Sequence, residues 1–494
     1  MTKWYWLGYG IIALICSICY YPSLFHMPRA DHTAYLAEVA QKNDFFSLAI
    51  GMSDLPRIRL FIPGDQALFR PLLFFFQGVE KYFFGYQFIF WQMTGIILHL
   101  LVLGLLLKLL LNIRQGLLAF VLTGFLAVSF VPMEMVIWQQ INGYLLFLVF
   151  VFVALDQAYS YINRNDMKFR RLIIIHVALL AACLTYEVGS MLCFLLWIYF
   201  RMNVPEKNRT WLHPALLLSP VLFYMLLNAW DWFCVRHMGL PHAMAVSGKG
   251  IGELLSSGMF ATAVTQACWL LFGIFPGQFG LILEERTTLS VYRVFQALNV
   301  VSLAVVILFC FTFIRFKSRV SLFRKWSFGA LIFWIIVAYS QTVAIGRVMP
   351  RGWGVLTLNL YYSYIYWAFL PVFVYACIDP DRLNAFAYRR WLKGIVCVCL
   401  GILMAVNAFR VYKVNYDRAV LSKNSRMLVQ SIEQLRKAHS RDGKFSFYVP
   451  ESFPGNYEVS WLSKTGDPAD KRYTFIEALY QGSFDKVSPR FSVR

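Results

Sequence analysis

Residues 86–111 read YQFIFWQMTGIILHLLVLGLLLKLLL, an apolar run interrupted by a single formal charge, Lys108. A helix rises about 1.5 Å per residue, so a run of this length crosses the roughly 30 Å hydrocarbon core of a bilayer. Comparable runs recur outward from it, near 4–25, 115–132, 141–160, 171–184, 188–201, 211–228, 291–314, 327–345, 356–378 and 392–410. The chain of 494 residues is 59% hydrophobic and 15% charged, with a mean hydropathy of +0.57. No soluble domain of that size could bury so much apolar surface in one core. The pattern predicts an all-α polytopic membrane protein of about 11 transmembrane helices, in a range of about 10 to 13.

The formal net charge of +20 would suit nucleic acid only if its distribution were ignored. Lys and Arg gather in alternate short connections: Lys108 with Arg114; Arg164, Lys168, Arg170 and Arg171; Arg201, Lys207 and Arg209. Further along come Arg315, Lys317, Arg319, Arg324 and Lys325, then Arg382, Arg389, Arg390 and Lys393. Cytoplasmic loops carry such an excess, so these connections are placed inside, with the N-terminus. The first segment has Trp4, Tyr5 and Trp6 at one end and Tyr20 and Tyr21 at the other, an interfacial belt, and no small-residue cleavage site; it reads as a retained helix. Residues 258–275 are apolar enough to span, but counting them would put the 315–325 loop outside, so they are predicted to be re-entrant, interfacial or one member of a mis-split pair.

That topology predicts a transmembrane domain over residues 1–410, with exterior loops at 26–85, 133–140, 184–188, 229–290 and 346–355. Residues 411–494 are then a small exterior α+β domain. In it Leu421, Met427, Leu428, Ile432 and Leu435 recur on one helical face, and Phe445–Val449 alternates as a strand before Pro450. Residues 68–85 suit a helix lying in the interface, with Pro71 in its first turn, where a missing N–H costs nothing. The ten cysteines show neither metal nor disulfide spacing, and most, such as Cys16, Cys183 and Cys397, sit in apolar segments as small hydrophobes.

Against this background the exterior polar groups stand out. Asp31 lies a few residues beyond the first helix, within Pro28-Arg29-Ala30-Asp31-His32-Thr33-Ala34-Tyr35. A carboxylate there can take the proton of an incoming hydroxyl or amine, or it can simply cap the helix that follows. Arg70, before Pro71, offers a planar fork to phosphate oxygens and can stabilise the charge on a departing phosphate, or can snorkel to lipid headgroups. Glu134 and Glu187 sit at exterior turns inside apolar stretches, where acids face a cavity or a partner. Arg347 and Arg351, followed by Tyr361 and Tyr362, suit phosphate and sugar, or an aromatic belt. No Walker A loop, HExxH or Cys/His set with metal spacing is read in the sequence, and no metal site or cofactor is assigned.

In combination these motifs resemble the GT-C superfamily of integral-membrane glycosyltransferases, over about residues 1–380. The nearest branch is that of the tetratricopeptide-bearing transmembrane O-mannosyltransferases. The likeness rests on Ala30-Asp31-His32 after the first helix, Phe69-Arg70-Pro71-Leu72 opening the next, and Gly95-Ile96-Ile97-Leu98-His99. It continues in Pro132 through Trp138 and in Tyr186-Glu187. The chain departs from that pattern in having His32 where a second acid is common, Tyr186 where lysine is usual, and no tetratricopeptide repeats.

The resemblance implies a GT-C-like fold and a transferase of the bacterial inner membrane, using a polyprenyl-phosphate sugar as lipid-linked donor. The acceptor is a glycan, a lipid or a protein, at the periplasmic face. Carried over by the resemblance, Asp31 is then the catalytic base and Arg70 a donor-phosphate contact. From the residue chemistry alone, Arg347 and Arg351 join Arg70 at the phosphate, and His32, Tyr35, Glu134, Glu187, Tyr361 and Tyr362 contact substrate. The alternatives are a transporter or flippase of lipid-linked saccharide and a polysaccharide polymerase or ligase. A transporter predicts charges in mid-span and paired broken helices, whereas the acids here cluster at one face. Membrane lipid is the expected surrounding, and nucleic acid is not a partner.

Overall fold

The structure is a computed structural model that describes residues 3–26, 70–85, 87–130, 133–138, 141–164, 166–237, 327–336, 363–377 and 390–438, positions 45 and 339, and four strands between 446 and 493. The expected span 291–314 and the segment 258–275 lie outside the described residues. Helix α1 covers Lys3–Tyr20 and closes in a 3-10 turn, Tyr21–Phe25. Then come α2 (Pro71–Phe84), α3 (Phe88–Ile113), α4 (Leu117–Ala127) and the short α5 (Met133–Ile137). They are followed by α6 (Gly143–Asn163), α7 (Phe169–Thr185), α8 (Val188–Asn203) and α9 (Leu212–His237). The later described helices are α10 (Ser327–Ile336), α11 (Ser363–Cys377) and α12 (Arg390–Ala438).

Four segments among the described residues are long and apolar enough to cross a membrane: Tyr5–Phe25, Phe88–Ile113, Gly143–Asn163 and Val398–Val420. Their outward faces stay apolar, with Leu7, Ile11, Leu14, Ile18, Ile97, Val398 and Ile402 all exposed. A surface of that kind suits lipid rather than water. Inside, α3 is the pivot of the bundle: Leu103, Leu106, Leu107, Leu109 and Leu110 are fully buried against neighbouring helices, as are Leu145, Leu148 and Val151 of α6. Burying one such leucine stabilises an aqueous fold by about 1.5–3 kcal/mol, but lipid is as apolar as leucine. Close packing and buried polar contacts therefore hold these helices together.

The polar contacts gather at two ends. At one, Lys108 pairs with Asp156 at 2.7 Å, Arg171 with Asp166 at 2.6 Å, and Arg164 donates to the Asn112 carbonyl at 3.3 Å. Tyr375 Oη donates to the Arg114 carbonyl at 2.9 Å and Ser327 Oγ to Asn203 Oδ1 at 3.0 Å. The basic connections read from sequence at 108–114, 164–171 and 201–209 therefore share one end, and α10 begins there, just after the 315–325 run. At the other end lie Arg70, Glu187, Glu80, Asn142, Glu134 and Arg418.

Two elements differ from the sequence expectation. The run 115–132 was read as one span, but α4 stops at Ala127, about 16 Å of helix against a core of roughly 30 Å. Val128 N donates to Gly124 O and Ser129 Oγ to Phe125 O, so the chain turns while its carbonyls stay satisfied. Helix α5 then tucks against α3. A Cβ on Gly95 would lie 2.1 Å from the Val136 carbonyl oxygen, and Gln92 Nε2 donates to the Ile137 carbonyl at 3.3 Å. Irregular backbone at membrane depth persists where protein groups satisfy it in this way. The second difference is α12. The predicted span at 392–410 and the helical face running from Leu421 to Leu435 belong to one continuous helix of 49 residues, about 74 Å long. The change from apolar to charged sequence near 410 alters its surroundings and leaves its backbone intact.

Beyond α12 the strands β1 (Ser446–Val449), β2 (Leu462–Lys464), β3 (Arg472–Phe475) and β4 (Arg490–Val493) form one sheet in the order β1-β4-β3-β2. The β1–β4 pair is parallel and the other two are antiparallel.

Candidate functional site

Pro71 occupies the first turn of α2, and Arg70 is its N-cap residue. A proline needs no partner for a missing N–H there. Arg70 N–H groups meet Glu187 in a two-point fork: Nε donates to Oε2 at 2.9 Å and Nη2 to Oε1 at 2.9 Å. Glu187 is in turn the N-cap residue of α8, at the turn from α7. The guanidinium carbon sits 4.4 Å from the centre of the Tyr186 ring and 5.9 Å from that of Tyr144. Those two rings meet edge to face, with centroids 4.9 Å apart. The Arg70 side chain is 7% exposed and that of Glu187 is 28% exposed. Burial works against the arginine's charge, but the Glu187 carboxylate outweighs it and holds the pKa above the ordinary arginine value. The cation is permanent and fixed in direction.

The rest of α2 turns a polar side toward the bundle. Gln77, Glu80 and Lys81 are all buried. Asn142 Nδ2 donates to Glu80 Oε1 at 3.1 Å, while Glu80 Oε2 and Asn142 Oδ1 have no hydrogen-bond partner among the described residues. Burial pushes the Glu80 carboxyl up to about 8, against the opposing pull of Asn142, Thr94 and Lys81. Glu80 is therefore mostly a neutral acid near pH 7. Leu73 packs beside Gly143, where an added Cβ would come within 1.9 Å of it, so the glycine lets α2 lie close to α6.

A second acid–arginine pair stands at the same end. Arg418 of α12 donates through Nη2 to Glu134 Oε1 of α5 at 3.1 Å, with both side chains 24% exposed. One turn earlier, Asn415 Nδ2 donates to the Cys19 carbonyl at 3.2 Å, and the Asn415 carbonyl lies 2.8 Å from His26 Nε2. The end of the first helix and the last described helix are joined there. Deeper in the bundle His99 Nδ1 meets Tyr364 Oη, and Tyr20 packs edge-on to the same imidazole.

Of the residues selected from sequence, the structure brings Arg70 and Glu187 into contact and places Glu134 with Arg418. Asp31, His32, Tyr35, Arg347, Arg351, Tyr361 and Tyr362 lie outside the described residues. Among the described residues no three His, Cys, Asp or Glu side chains converge as metal ligands would. Sequence reasoning missed Arg418, Glu80 and Asn142. A signal existed for the first two. Positions 407, 411, 415, 418 and 422 recur at helical spacing and include Asn407, Asn415, Arg418 and Ser422. Gln77, Glu80 and Lys81 likewise mark one face of an otherwise apolar helix. Asn142 carries no such mark, since its role depends on where α2 lands.

No family model matches this chain, and no curated protein matches it. Among solved structures it is similar to the oligosaccharyltransferase of Archaeoglobus fulgidus tethered by a disulfide bond to an acceptor peptide containing the NVT sequon. The TM-score is 0.40 at 12% identity, covering 85% of this chain and 55% of that one. It is also similar to oligosaccharyltransferase AglB of the same archaeon in complex with an inhibitory peptide and a dolichol-phosphate. There the TM-score is 0.40 at 13% identity, covering 84% of this chain and 56% of that one. The chain thus spans little more than half the length of those proteins, and agreement at that level assigns it neither a fold family nor an activity.

Proposed function

We propose that this chain is a GT-C-like membrane glycosyltransferase that moves a sugar from a polyprenyl-phosphate donor to an acceptor at the exterior face of a bacterial inner membrane. Residues 1–410, with the continuation of α12 through Arg418, carry the reaction, and the remainder of the chain to residue 494 forms a small exterior domain beside it. The observation that carries this reading is the buried, carboxylate-locked Arg70 at the end of the bundle opposite the basic connections. It belongs to the same predicted exterior loop, 26–85, as Asp31. A permanent cation in partly water-excluded surroundings is well suited to stabilise a charge that grows as phosphate departs.

In this mechanism Asp31 takes the proton from the acceptor hydroxyl or amine. The freed lone pair forms a bond to the anomeric carbon as that carbon's bond to the phosphate oxygen breaks, and the electron pair leaves with the polyprenyl phosphate. Arg70, Arg347 and Arg351 balance the phosphate charge. His32, Tyr35, Tyr361 and Tyr362 contact the sugar or acceptor, and Glu134 and Glu187 act at the same face while holding their arginines.

The test is mass spectrometry of envelope glycans and polyprenyl-phosphate sugars in strains that lack the protein, or carry it as wild type or Asp31→Asn with confirmed insertion. The expected result is loss of one envelope sugar with accumulation of its lipid-linked donor, reproduced by Asp31→Asn. Wild-type glycans from Asp31→Asn, with a defect in the deletion strain, would sink the catalytic role of Asp31 and turn the choice toward transport.

A further inference from the structure

The two arginines at the exterior end are committed to different degrees. Arg70 spends Nε and Nη2 on both oxygens of Glu187 and is stacked on Tyr186. Arg418 meets Glu134 through Nη2 at 3.1 Å, and its Nη1 lies out of solvent with no hydrogen-bond partner among the described residues. Buried guanidinium donors are almost always matched, so an unmatched one at a site that also holds a carboxylate calls for an explanation. The neighbouring charges on α12 do not supply a partner: Lys413 and Asp417 pair with each other at 2.9 Å on the exposed side. The backbone beneath Arg418 is also held in place. Asn415 is fully buried and bonded to the Cys19 carbonyl, and its own carbonyl meets His26. The unmatched donor is therefore held on a fixed support near the end of the candidate span Val398–Val420, opposite the basic connections, the level at which a lipid phosphate lies.

We propose that Arg418 is a phosphate-binding residue of this protein, with Nη1 reserved for a phosphate oxygen of the lipid-linked donor and Glu134 serving as the counter-charge that keeps the guanidinium in position. The inference rests on the glycosyltransferase reading and adds to it a binding residue from the last described helix. A guanidinium suits this task because its remaining N–H groups stay in the plane set by the Glu134 contact, which an ammonium cannot reproduce.

The experiment titrates the full-length protein in nanodiscs with undecaprenyl phosphate, and separately with undecaprenol, reading tryptophan fluorescence and the melting temperature. The variants are Arg418→Met, Arg418→Lys and Glu134→Gln. Arg418→Met is expected to weaken the phosphate lipid at least about tenfold, the scale of one lost charged hydrogen bond, and to leave undecaprenol unchanged. Glu134→Gln is expected to weaken the phosphate lipid as well, because the guanidinium loses the counter-charge that holds it in position. If Arg418→Met unfolds, Arg418→Lys decides, since it keeps a charge opposite Glu134: weaker binding at an unchanged melting temperature supports the proposal. Wild-type affinity in the folded Arg418 variants overturns it and leaves Arg418 as a latch between α5 and α12, with the glycosyltransferase reading intact. Equal binding of the two lipids by the wild-type protein removes the lipid-phosphate donor itself, and the role of Arg418 with it.

Discussion

Arg70 serves two demands at once, because it must be charged to act on phosphate and must be paired to survive burial. Removing one member of such a pair leaves an uncompensated charge, at a cost of about 3–5 kcal/mol. Arg70→Met is therefore expected to lower the melting temperature of the purified protein sharply, whereas Arg70→Met combined with Glu187→Met should recover much of the loss. A double variant no more stable than the single one would show that the pair is not what holds α2 to the α7–α8 turn. Glu80 makes a separate, pH-dependent contribution. Its carboxyl rises from an ordinary 4.5 to about 8 on folding, so between those values the folded state binds a proton that the unfolded state has lost. Stability from this group is complete at low pH and falls, by up to about 1.4 kcal/mol per pH unit, as pH climbs toward 8. Glu80→Gln, which keeps a neutral hydrogen-bonding side chain beside Asn142, should flatten the melting temperature between pH 5.5 and 8.5. An unchanged slope would place the titration elsewhere.

At the level of elements, glycine marks where backbones approach. A Cβ at Gly95 would strike the Val136 carbonyl oxygen, and one at Gly189 would lie 2.5 Å from the Cys183 backbone nitrogen, whereas Gly10 in α1 has nothing within 4 Å. Neither of the first two obstacles can swing aside as a side chain would. Gly95→Ala and Gly189→Ala are each expected to cost about 1–3 kcal/mol. Gly10→Ala should be neutral or stabilising by up to about 1 kcal/mol, because alanine is the better helix former. Thermal melts of the three variants in one detergent check the order, and equal melting temperatures would contradict the close α3–α5 and α7–α8 contacts. The shortness of α4 belongs to this scale too. Its run of apolar residues continues past Ala127, but the chain turns into α5 so that Glu134 can meet Arg418.

Across the whole molecule, the two ends of the bundle carry different chemistry. The basic connections sit at one, and the two arginine–glutamate pairs sit at the other. Helix α12 leaves the bundle at the second end, because Asn415 and Arg418 contact His26, the Cys19 carbonyl and Glu134. Reporter fusions should therefore report opposite sides: cytoplasmic after residue 325, just before Ser327 contacts Asn203, and exterior after residue 440. The same side for both fusions would contradict the parallel course of α10 and α12, in which α10 begins at the basic end and α12 finishes at the opposite one.

The apolar runs, the common end of the basic connections at 108–114, 164–171 and 201–209, and the position of Arg70, Glu134 and Glu187 at the opposite end were legible in the amino-acid sequence. Each follows from a constraint that acts along one dimension: a bilayer has a fixed thickness, and Lys and Arg have a preferred side. The order of the motifs was legible for the same reason. Which groups meet was not. Arg70 and Glu187 are 117 positions apart and His26 and Asn415 are 389 apart, and nothing local to either residue specifies its partner. Hydropathy marked a boundary near 410 where the helix continues, because a helix needs only its own backbone hydrogen bonds and is indifferent to a change from lipid to water around it. It marked an unbroken span at 115–132 where the chain bends, because only the arrival of α3 beside α5 supplies groups that satisfy the broken backbone. The sequence by itself determined which runs are apolar enough for a membrane and the end at which Arg70, Glu134 and Glu187 lie. The tertiary structure decided the pairings, since an ion pair in a buried site depends on distances that only packed helices set.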